Sequence, residues 1–266
     1  MRATSAPLAP PRTRWQLFAM ATGVDNEASE AASSTGAVKR NYVRGVFTQI
    51  APRYDLLNHL LSFNIDRRWR RKAIASLGWE REPAGLYLDL CAGTLDVAAE
   101  LAVQPGFRGR VLAADFAEPM LRAGRHKIAR MPVSTVVADA LELPLPNAAA
   151  AGALVAFGIR NVVDVDAAMA EAARVLQKGG RFVILEFSTP RNAVARALYH
   201  LYFHQILPRL GALISGHPTA YTYLPKSVAN FPAEEKLAQR LRGAGFNEVS
   251  WRSLLFGIAA IHIAEK

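Results

Sequence analysis

Leu86-Tyr-Leu-Asp-Leu90 is an apolar run interrupted by a single acid, and Cys91-Ala-Gly-Thr-Leu-Asp96 follows it directly. A short apolar run that ends at a glycine is typical of a buried parallel strand that leads through a tight turn into a helix. Gly93 has no side chain, so a ligand can approach the backbone of this turn closely. The segment therefore predicts the first strand–turn–helix unit of an α/β fold, with a ligand site at the turn.

Strand and helix patterns alternate downstream of this unit. Further strands are predicted over residues 110–115, 134–139, 153–157, 181–187, 248–253 and 258–263. Helical patterns over residues 96–103, 118–129 and 165–176 separate the earlier ones. Such alternation predicts βαβ units and a doubly wound, mostly parallel sheet with helices on both faces.

Two regions depart from this alternation. Before the first strand, apolar residues from Val43 to Ile50 recur at helical spacing, Pro52 interrupts that helix, and Asn64 is placed to cap another. Later, residues 189–232 lack the strand–helix pattern. An insertion at this point of an α/β sheet usually covers the ligand crevice; a packing helix without a ligand role is the alternative.

Composition limits the classes of protein to which the chain can belong. Its 266 residues carry 32 Lys and Arg against 22 Asp and Glu, a formal net charge of +10. This excess favours a polyanionic partner such as nucleic acid or an anionic membrane, with a basic surface kept for solubility as the alternative. The single cysteine, Cys91, excludes a disulfide framework. No uncharged apolar run reaches the roughly 18 residues that a membrane-spanning helix needs.

Residues 1–37 are rich in Ala, Ser, Thr, Pro and Gly and show no sustained periodicity. We predict a disordered leader there. There are two alternatives to a disordered leader: an organellar transit peptide, or a translation start at Met20. The remaining residues, 38–266, are predicted to form one domain.

Acidic side chains at the ends of the predicted strands indicate a nucleoside site. Asp115 stands 22 residues after Gly93, where doubly wound folds place the acid that binds ribose hydroxyls. Asp139 ends the third strand and is placed to meet the amine of an adenine. Only one glycine occupies the first turn, which disfavours the pyrophosphate of NAD. An adenosine ligand without a pyrophosphate fits better, and S-adenosylmethionine is the common one.

Several longer motifs resemble one family. Phe47-Thr-Gln-Ile-Ala-Pro-Arg-Tyr-Asp-Leu-Leu-Asn58, Phe157-Gly-Ile-Arg-Asn-Val162 and the segment from Arg174 to Ser188 are similar to motifs of the menaquinone/ubiquinone biosynthesis C-methyltransferases. The resemblance runs from about Val43 to Ile261. It implies a class I S-adenosylmethionine-dependent methyltransferase with a seven-stranded sheet of order 3-2-1-4-5-7-6, which methylates a ring carbon of a prenylated quinol.

The resemblance also implies roles for particular residues. Tyr54, Arg160 and Asn161 fall where members of the family are proposed to act on the substrate ring. The predicted cofactor contacts are Asp89, Gly93, Thr94, Asp115, Phe116, Asp139, Ala140 and Ala156. No metal site is visible. Residues 38–80 then become an N-terminal helical cap of the methyltransferase domain, and residues 189–232 a substrate-covering insertion.

The chain departs from the family pattern at the first turn. Gly-Thr-Gly-Asp is usual there, and this chain has Gly93-Thr-Leu-Asp96. If this position requires a positive φ, Leu95 is strained by about 1–2 kcal/mol. Ala156 replaces a frequent serine, and residues 146–152 lack the usual acids. These changes are expected to affect cofactor affinity.

Arg160 has too high a pKa to act as a base on its own, so we expect it to stabilise a developing phenolate or to orient a water. A structural ion pair is the alternative role. His59, His200 and His204 are alternative bases. Tyr54 and Asn161 would then fix the ring.

The partner expected from the resemblance is a lipophilic prenylated quinol, most simply demethylmenaquinol, with the benzoquinol of the ubiquinone pathway as another option. The basic run Arg67, Arg68, Arg70, Arg71 and Lys72 is expected to contact an anionic membrane. A solvated helix face is the alternative, and no nucleic-acid-reading module accompanies the run. We expect a cytoplasmic protein, peripheral at the inner face of the membrane, and leave a homodimer open.

Two other functions compete with quinol methylation. One is a methyltransferase of the same fold that acts on RNA or on another small molecule. The other is a catalytically degenerate homologue that serves as a binding partner, for which Leu95 is the best support.

Overall fold

The computed structural model describes residues 36–206 and 219–266. Its strands are β1 (Leu86–Leu90), β2 (Arg110–Asp115), β3 (Val133–Val137), β4 (Ala150–Ala156), β5 (Leu176–Phe187), β6 (Glu248–Leu254) and β7 (Ala259–Glu265). They form one seven-stranded sheet of order β3-β2-β1-β4-β5-β7-β6. The first five strands pair in parallel, and β7 pairs antiparallel with both β5 and β6. The predicted doubly wound sheet and its strand order are confirmed.

Helices lie on both faces of this sheet. The described helices are α1 (Gly36–Ile50), α2 (Tyr54–Leu61), α3 (Ile65–Leu77), α4 (Asp96–Ala102), α5 (Glu118–Gly124), α6 (Val165–Val175), α7 (Ala193–Leu201), α8 (Thr219–Ala229) and α9 (Glu234–Gly243). Among the described residues, no helix is long and apolar enough to cross a bilayer.

Strand β5 shows why the core has two layers. Alternate side chains of a strand point to opposite faces of its sheet. Phe182 and Ile184 therefore pack with α6 and α9 on one face. Val183 and Leu185 pack with α3 and α4 on the other. A stretch of strand that is buried on both faces is expected to be continuously apolar, and residues 182–185 show this pattern.

The largest errors in the predicted element boundaries are at β5 and α5. The strand predicted over 181–187 begins earlier, at Leu176, because the glycines before it remain in the sheet: the Gly179 N–H donates to the Lys266 carbonyl, at 2.8 Å. The helix predicted over 118–129 ends at Gly124 and continues as a 3-10 turn.

The helices before β1 follow the predicted breaks. Pro52 lies in a 3-10 turn between α1 and α2, so the predicted interruption is confirmed. Asn64 does precede α3, but its side chain makes no capping hydrogen bond, and its φ of 58° places it in the left-handed region. The predicted position is therefore right and the predicted capping contact is wrong.

Helix α1 packs against α8 and near the carboxyl end of β2. Val46 and Ile50 pack against Tyr54 and against Leu224 of α8, and Phe116, which directly follows β2, joins the neighbouring cluster. The first 35 residues, which make up nearly all of the predicted leader, lie outside the described residues, as do 207–218 of the predicted insertion. Residues 36 and 37, which were also assigned to the leader, instead begin α1.

Candidate active site

An open cavity lies where β1, β2 and β4 end. It contains about 720 Å³ of empty space, its mouth included, which suits a ligand of nucleoside size. Six of the residues predicted to contact a cofactor line it: Gly93, Asp115, Phe116, Asp139, Ala140 and Ala156. The carboxyl ends of parallel strands thus bring together residues from four separate segments. We call this space the nucleoside cavity.

Asp115 is fixed at the wall of the nucleoside cavity. One of its carboxylate oxygens accepts the Gly93 N–H at 2.8 Å, and the other accepts the Ala117 N–H, also at 2.8 Å. Burial raises the pKa of this carboxyl, and the two backbone donors oppose that rise. Each oxygen has a second lone pair, so the carboxylate can hold the first turn and still bind ligand hydroxyls.

Asp89 and Thr94 lie behind the wall rather than on it. Asp89 is 2% exposed, its carboxylate accepts the Ala98 N–H at 3.0 Å, and burial raises its pKa to about 8. The Thr94 hydroxyl donates to Asp55 at 2.5 Å. Neither residue lines the nucleoside cavity. In this geometry both position the first turn, and their contact with a cofactor stays a prediction.

Leu95 adopts the left-handed conformation that the first turn requires, with φ 69° and ψ 20°. This conformation costs a non-glycine residue about 1–2 kcal/mol. The side chain is fully buried in the apolar cluster on the α3 and α4 side of the sheet, where burial contributes about 1.5–3 kcal/mol. Leu95 does not line the nucleoside cavity, so its side chain leaves that space open.

Helix α1 is joined to the nucleoside cavity by two cations that the sequence analysis missed. The Arg40 guanidinium lies 2.8 Å from the Asp139 carboxylate and lines the cavity. The Lys39 ammonium donates to the carbonyl oxygens of Arg160, at 3.1 Å, and Val162, at 2.8 Å. These contacts join segments that are about a hundred residues apart, and no local pattern in the sequence indicates them.

A second, larger space adjoins the first and contains about 1240 Å³ with its mouth. Aromatic and aliphatic side chains dominate its lining, including Val46, Ile50, Trp69, Phe187, Tyr202, Phe203 and Leu224. Phe47, Tyr54 and Phe157 line both spaces. We call the second space the apolar chamber. The two spaces therefore meet at three aromatic side chains.

The three residues predicted to be catalytic lie around this junction. Tyr54 lines both spaces, Asn161 lines the nucleoside cavity, and Arg160 lines the apolar chamber. Burial raises the pKa of Tyr54, so its phenol is neutral. The Asn161 amide oxygen is buried and has no hydrogen-bond partner among the described residues. An unsatisfied buried acceptor at the wall is available to a ligand donor.

Arg160 forms an ion pair, which is the alternative role considered for it, and it also lines the apolar chamber. Its action on a substrate stays a prediction. Its Nη1 lies 2.7 Å from the Glu186 carboxylate. The same nitrogen donates to the Phe157 carbonyl at 2.5 Å, and Nε donates to the Ser227 hydroxyl at 3.3 Å. Glu186 was missed as a functional residue, although it lies within one of the family motifs.

The histidines considered as alternative bases lie elsewhere. His59 contacts the Asp66 carboxylate at 2.9 Å and lines neither the nucleoside cavity nor the apolar chamber. His200 is exposed on α7. The side chain of His204 lies outside the described part of the chain.

The sheet order and the cavity at the strand ends define a class I, Rossmann-like methyltransferase. The fold resembles that of an S-adenosylmethionine-dependent methyltransferase from Thermotoga maritima, with a TM-score of 0.59, 18% identity, and coverage of 84% of this chain and 99% of that one. A Haloferax volcanii methyltransferase in complex with the Trm112 activator gives a TM-score of 0.58 at 15% identity, over 82% of this chain and 96% of that one. At these identities the likeness shows the fold alone.

The chain belongs to the ubiE/COQ5 methyltransferase family, whose model matches residues 35–266. It is 48% identical to the demethylmenaquinone methyltransferase of Thermus thermophilus, over 83% of this chain and all of that one. It is 43% identical to the ubiquinone/menaquinone biosynthesis C-methyltransferase UbiE of Geobacter sulfurreducens, over 86% of this chain and 90% of that one. The predicted family and the predicted C-methyltransferase class are confirmed.

Proposed function

We propose that the chain transfers a methyl group from S-adenosylmethionine to a ring carbon of a prenylated quinol, with demethylmenaquinol as the first candidate. The observation that carries this proposal is the junction of a polar nucleoside cavity with a large apolar chamber at Tyr54. The names of the relatives from Thermus and Geobacter support it. The benzoquinol of the ubiquinone pathway is the second substrate to test.

The residues of the nucleoside cavity fit an adenosine ligand that carries a sulfonium. Asp115 would bind the ribose hydroxyls, because each of its oxygens keeps a free lone pair. Asp139 would accept from the adenine amine, and the unsatisfied Asn161 oxygen would accept from a ligand donor. When bound, the cofactor supplies an activated methyl group, so the protein need only align the acceptor carbon.

Three residues of the junction would act on the quinol. Arg160 would stabilise the ring oxygen as its hydroxyl releases a proton to water, which makes the neighbouring carbon nucleophilic. After that carbon has gained the methyl group, its ring hydrogen would leave as a proton and restore the aromatic ring. Tyr54 and Asn161 would hold the ring between the two spaces. The aromatic walls would exclude water, which would otherwise solvate the charged reactants. We also propose that the cap (38–80) and the insertion (189–232) enclose the prenyl tail, since both contribute side chains to the apolar chamber.

Calorimetry and a methylation assay test this proposal with the full chain. We expect S-adenosylmethionine to bind with micromolar affinity and demethylmenaquinol to gain one methyl group, as seen by mass spectrometry. Failure to bind the cofactor at millimolar concentration would favour the degenerate homologue. Binding without methylation of either quinol would favour another small-molecule substrate.

We also propose that the protein acts in the cytoplasm and is peripheral at the inner face of the membrane, because a prenylated quinol resides in the bilayer. Arg67, Arg68, Arg71 and Lys72 are exposed on α3, and each contributes about 1 kcal/mol on an anionic leaflet before screening. Arg70, which is predicted to lie on this basic face, is instead buried and paired with Asp66 and Asp96. Arg70 therefore faces the core, and the basic surface of α3 consists of the other four residues of the run.

Two exposed phenylalanines strengthen the case for a membrane face. Phe63 is 75% exposed at the rim of the apolar chamber, and Phe256 is 80% exposed next to Leu255, which also lines the chamber. Exposed large apolar side chains at the mouth of an apolar space are typical of a surface that contacts lipid.

A vesicle assay checks this face. We expect the protein to sediment with phosphatidylglycerol-containing vesicles at low salt and to be released at high salt. Phe256→Ser should weaken sedimentation severalfold, because it removes an inserted aromatic ring. Val137→Ser is the matched control, since Val137 is 52% exposed on the edge strand β3. Equal loss in both variants would contradict the proposed surface. Separately, the sedimentation velocity of the protein alone reports whether it is a monomer or a homodimer.

A further inference from the structure

Glu186 is a buried carboxylate to which the mechanism above gives no role. It lies near the end of β5, is 2% exposed, and contacts Arg160 at 2.7 Å. It also accepts the Phe187 N–H at 2.9 Å, and more weakly the Arg160 N–H at 3.4 Å. A carboxylate is rarely kept inside a protein unless it is paired and hydrogen-bonded.

We propose that Glu186 is a positioning residue that fixes the Arg160 guanidinium at the wall of the apolar chamber and offsets its charge, so that it sets how readily a hydroxyl in the chamber ionises. This inference rests on the proposed function only for the identity of that hydroxyl, which would belong to the quinol substrate. It concerns the same chamber and gives Glu186 no direct contact with substrate.

The contacts of Arg160 show how its orientation is determined. Glu186 and the Phe157 carbonyl share Nη1, Ser227 takes Nε, and the guanidinium carbon lies 5.6 Å from the centre of the Phe187 ring. Among contacts between described residues, Nη2 has no protein acceptor, which leaves it for a ligand oxygen. Without Glu186, the guanidinium would lose its only carboxylate among these partners and could turn away from the chamber.

Glu186 supplies the counter-charge of Arg160. Burial raises the pKa of its carboxyl, whereas the ion pair at 2.7 Å and two backbone N–H donors favour its ionised form. Burial raises the pKa values of Tyr199 and Tyr223 to about 12, and it also raises those of Tyr54 and Cys91. These four groups are therefore neutral near pH 7.

The other charges near Arg160 do not offset it. Lys39, bound to the Arg160 carbonyl, is a second cation. Arg70 and Asp66, which line the chamber, pair with each other at 2.6 Å. The charge of Arg160 is thus opposed chiefly by Glu186.

Glu186→Gln separates charge from shape. The glutamine keeps an oxygen for Nη1 and has nearly the same volume, but its side chain is neutral. The full charge of Arg160 then acts on the substrate hydroxyl, so the rising limb of the kcat–pH profile should move to lower pH by about one unit. KM for S-adenosylmethionine should change little. Glu186→Ala, which also releases the guanidinium, should lower kcat by about a hundredfold or more.

A second measurement does not require methyl transfer. The absorbance of 1-naphthol bound in the chamber reports ionisation of its hydroxyl, and its apparent pKa should fall in Glu186→Gln. Glu171→Gln is the control, since it removes a carboxylate paired with Arg174 at 2.7 Å on α6, away from the chamber. If Glu186→Gln shifts neither the naphthol titration nor the pH profile, the inference is overturned. If naphthol shifts but wild-type protein methylates neither quinol, the proposed substrate fails and the role of Glu186 stands.

Discussion

Asp115→Asn is expected to weaken binding of S-adenosylmethionine by a factor of about 10² or more. The carboxylate accepts backbone N–H groups on both oxygens, and an asparagine would place an NH₂ group against one of those donors. It would also lose charge-assisted hydrogen bonds to the ribose hydroxyls, each contributing about 1.5–3 kcal/mol. Calorimetry on variants with native thermal unfolding measures the change.

Asp139→Asn provides the comparison for this result. Asp139 is half-buried, and Arg40 already contacts one of its oxygens, so its contribution to a ligand is partly offset. We expect a loss of about tenfold or less in affinity. Equal losses in the two variants would contradict the assignment of Asp115 to the ribose. Wild-type affinity in Asp115→Asn would remove the nucleoside cavity as the cofactor site.

Leu95→Gly is expected to destabilise the fold while leaving cofactor affinity nearly unchanged. Removal of a buried leucine side chain costs about 2–5 kcal/mol, and relief of the left-handed strain returns about 1–2 kcal/mol. The free energy of unfolding should therefore fall, by up to about 4 kcal/mol. Affinity is unaffected because the side chain lies in the core, away from the nucleoside cavity.

Leu95→Ala isolates the backbone contribution. Alanine also removes most of the side chain but keeps the positive φ of 69°, so this variant should be less stable than Leu95→Gly by about 0.5–1 kcal/mol. Chemical denaturation measures both differences. A tenfold gain in cofactor affinity in Leu95→Gly would instead show that leucine restricts the site, and would revive the degenerate homologue.

Much of the fold could be read from local sequence. The bounds predicted for β1 and β2 agree with the structure, because strands buried on both faces leave an unbroken apolar signal. The break at Pro52 is local too, since proline cannot continue a helix without loss of a hydrogen bond. Gly93, Asp115 and Asp139 could be placed at the nucleoside cavity from the ends of the predicted strands. The strand order, and the roles of Phe116, Ala140 and Ala156, came from the family resemblance, which records tertiary constraints that spacing alone does not.

Tertiary structure decided which charges meet and which way side chains face. Arg70 lies in a run of basic residues, yet packing of α3 against the sheet buries it beside Asp66 and Asp96. The Arg40–Asp139 and Arg160–Glu186 pairs join distant segments, and opposite charges are too common in any sequence to identify such partners. Leu95 could be recognised as strained from its position, but only the folded chain shows its side chain in the core. Local propensity is encoded residue by residue, whereas the pairing of buried charges depends on how separate elements pack.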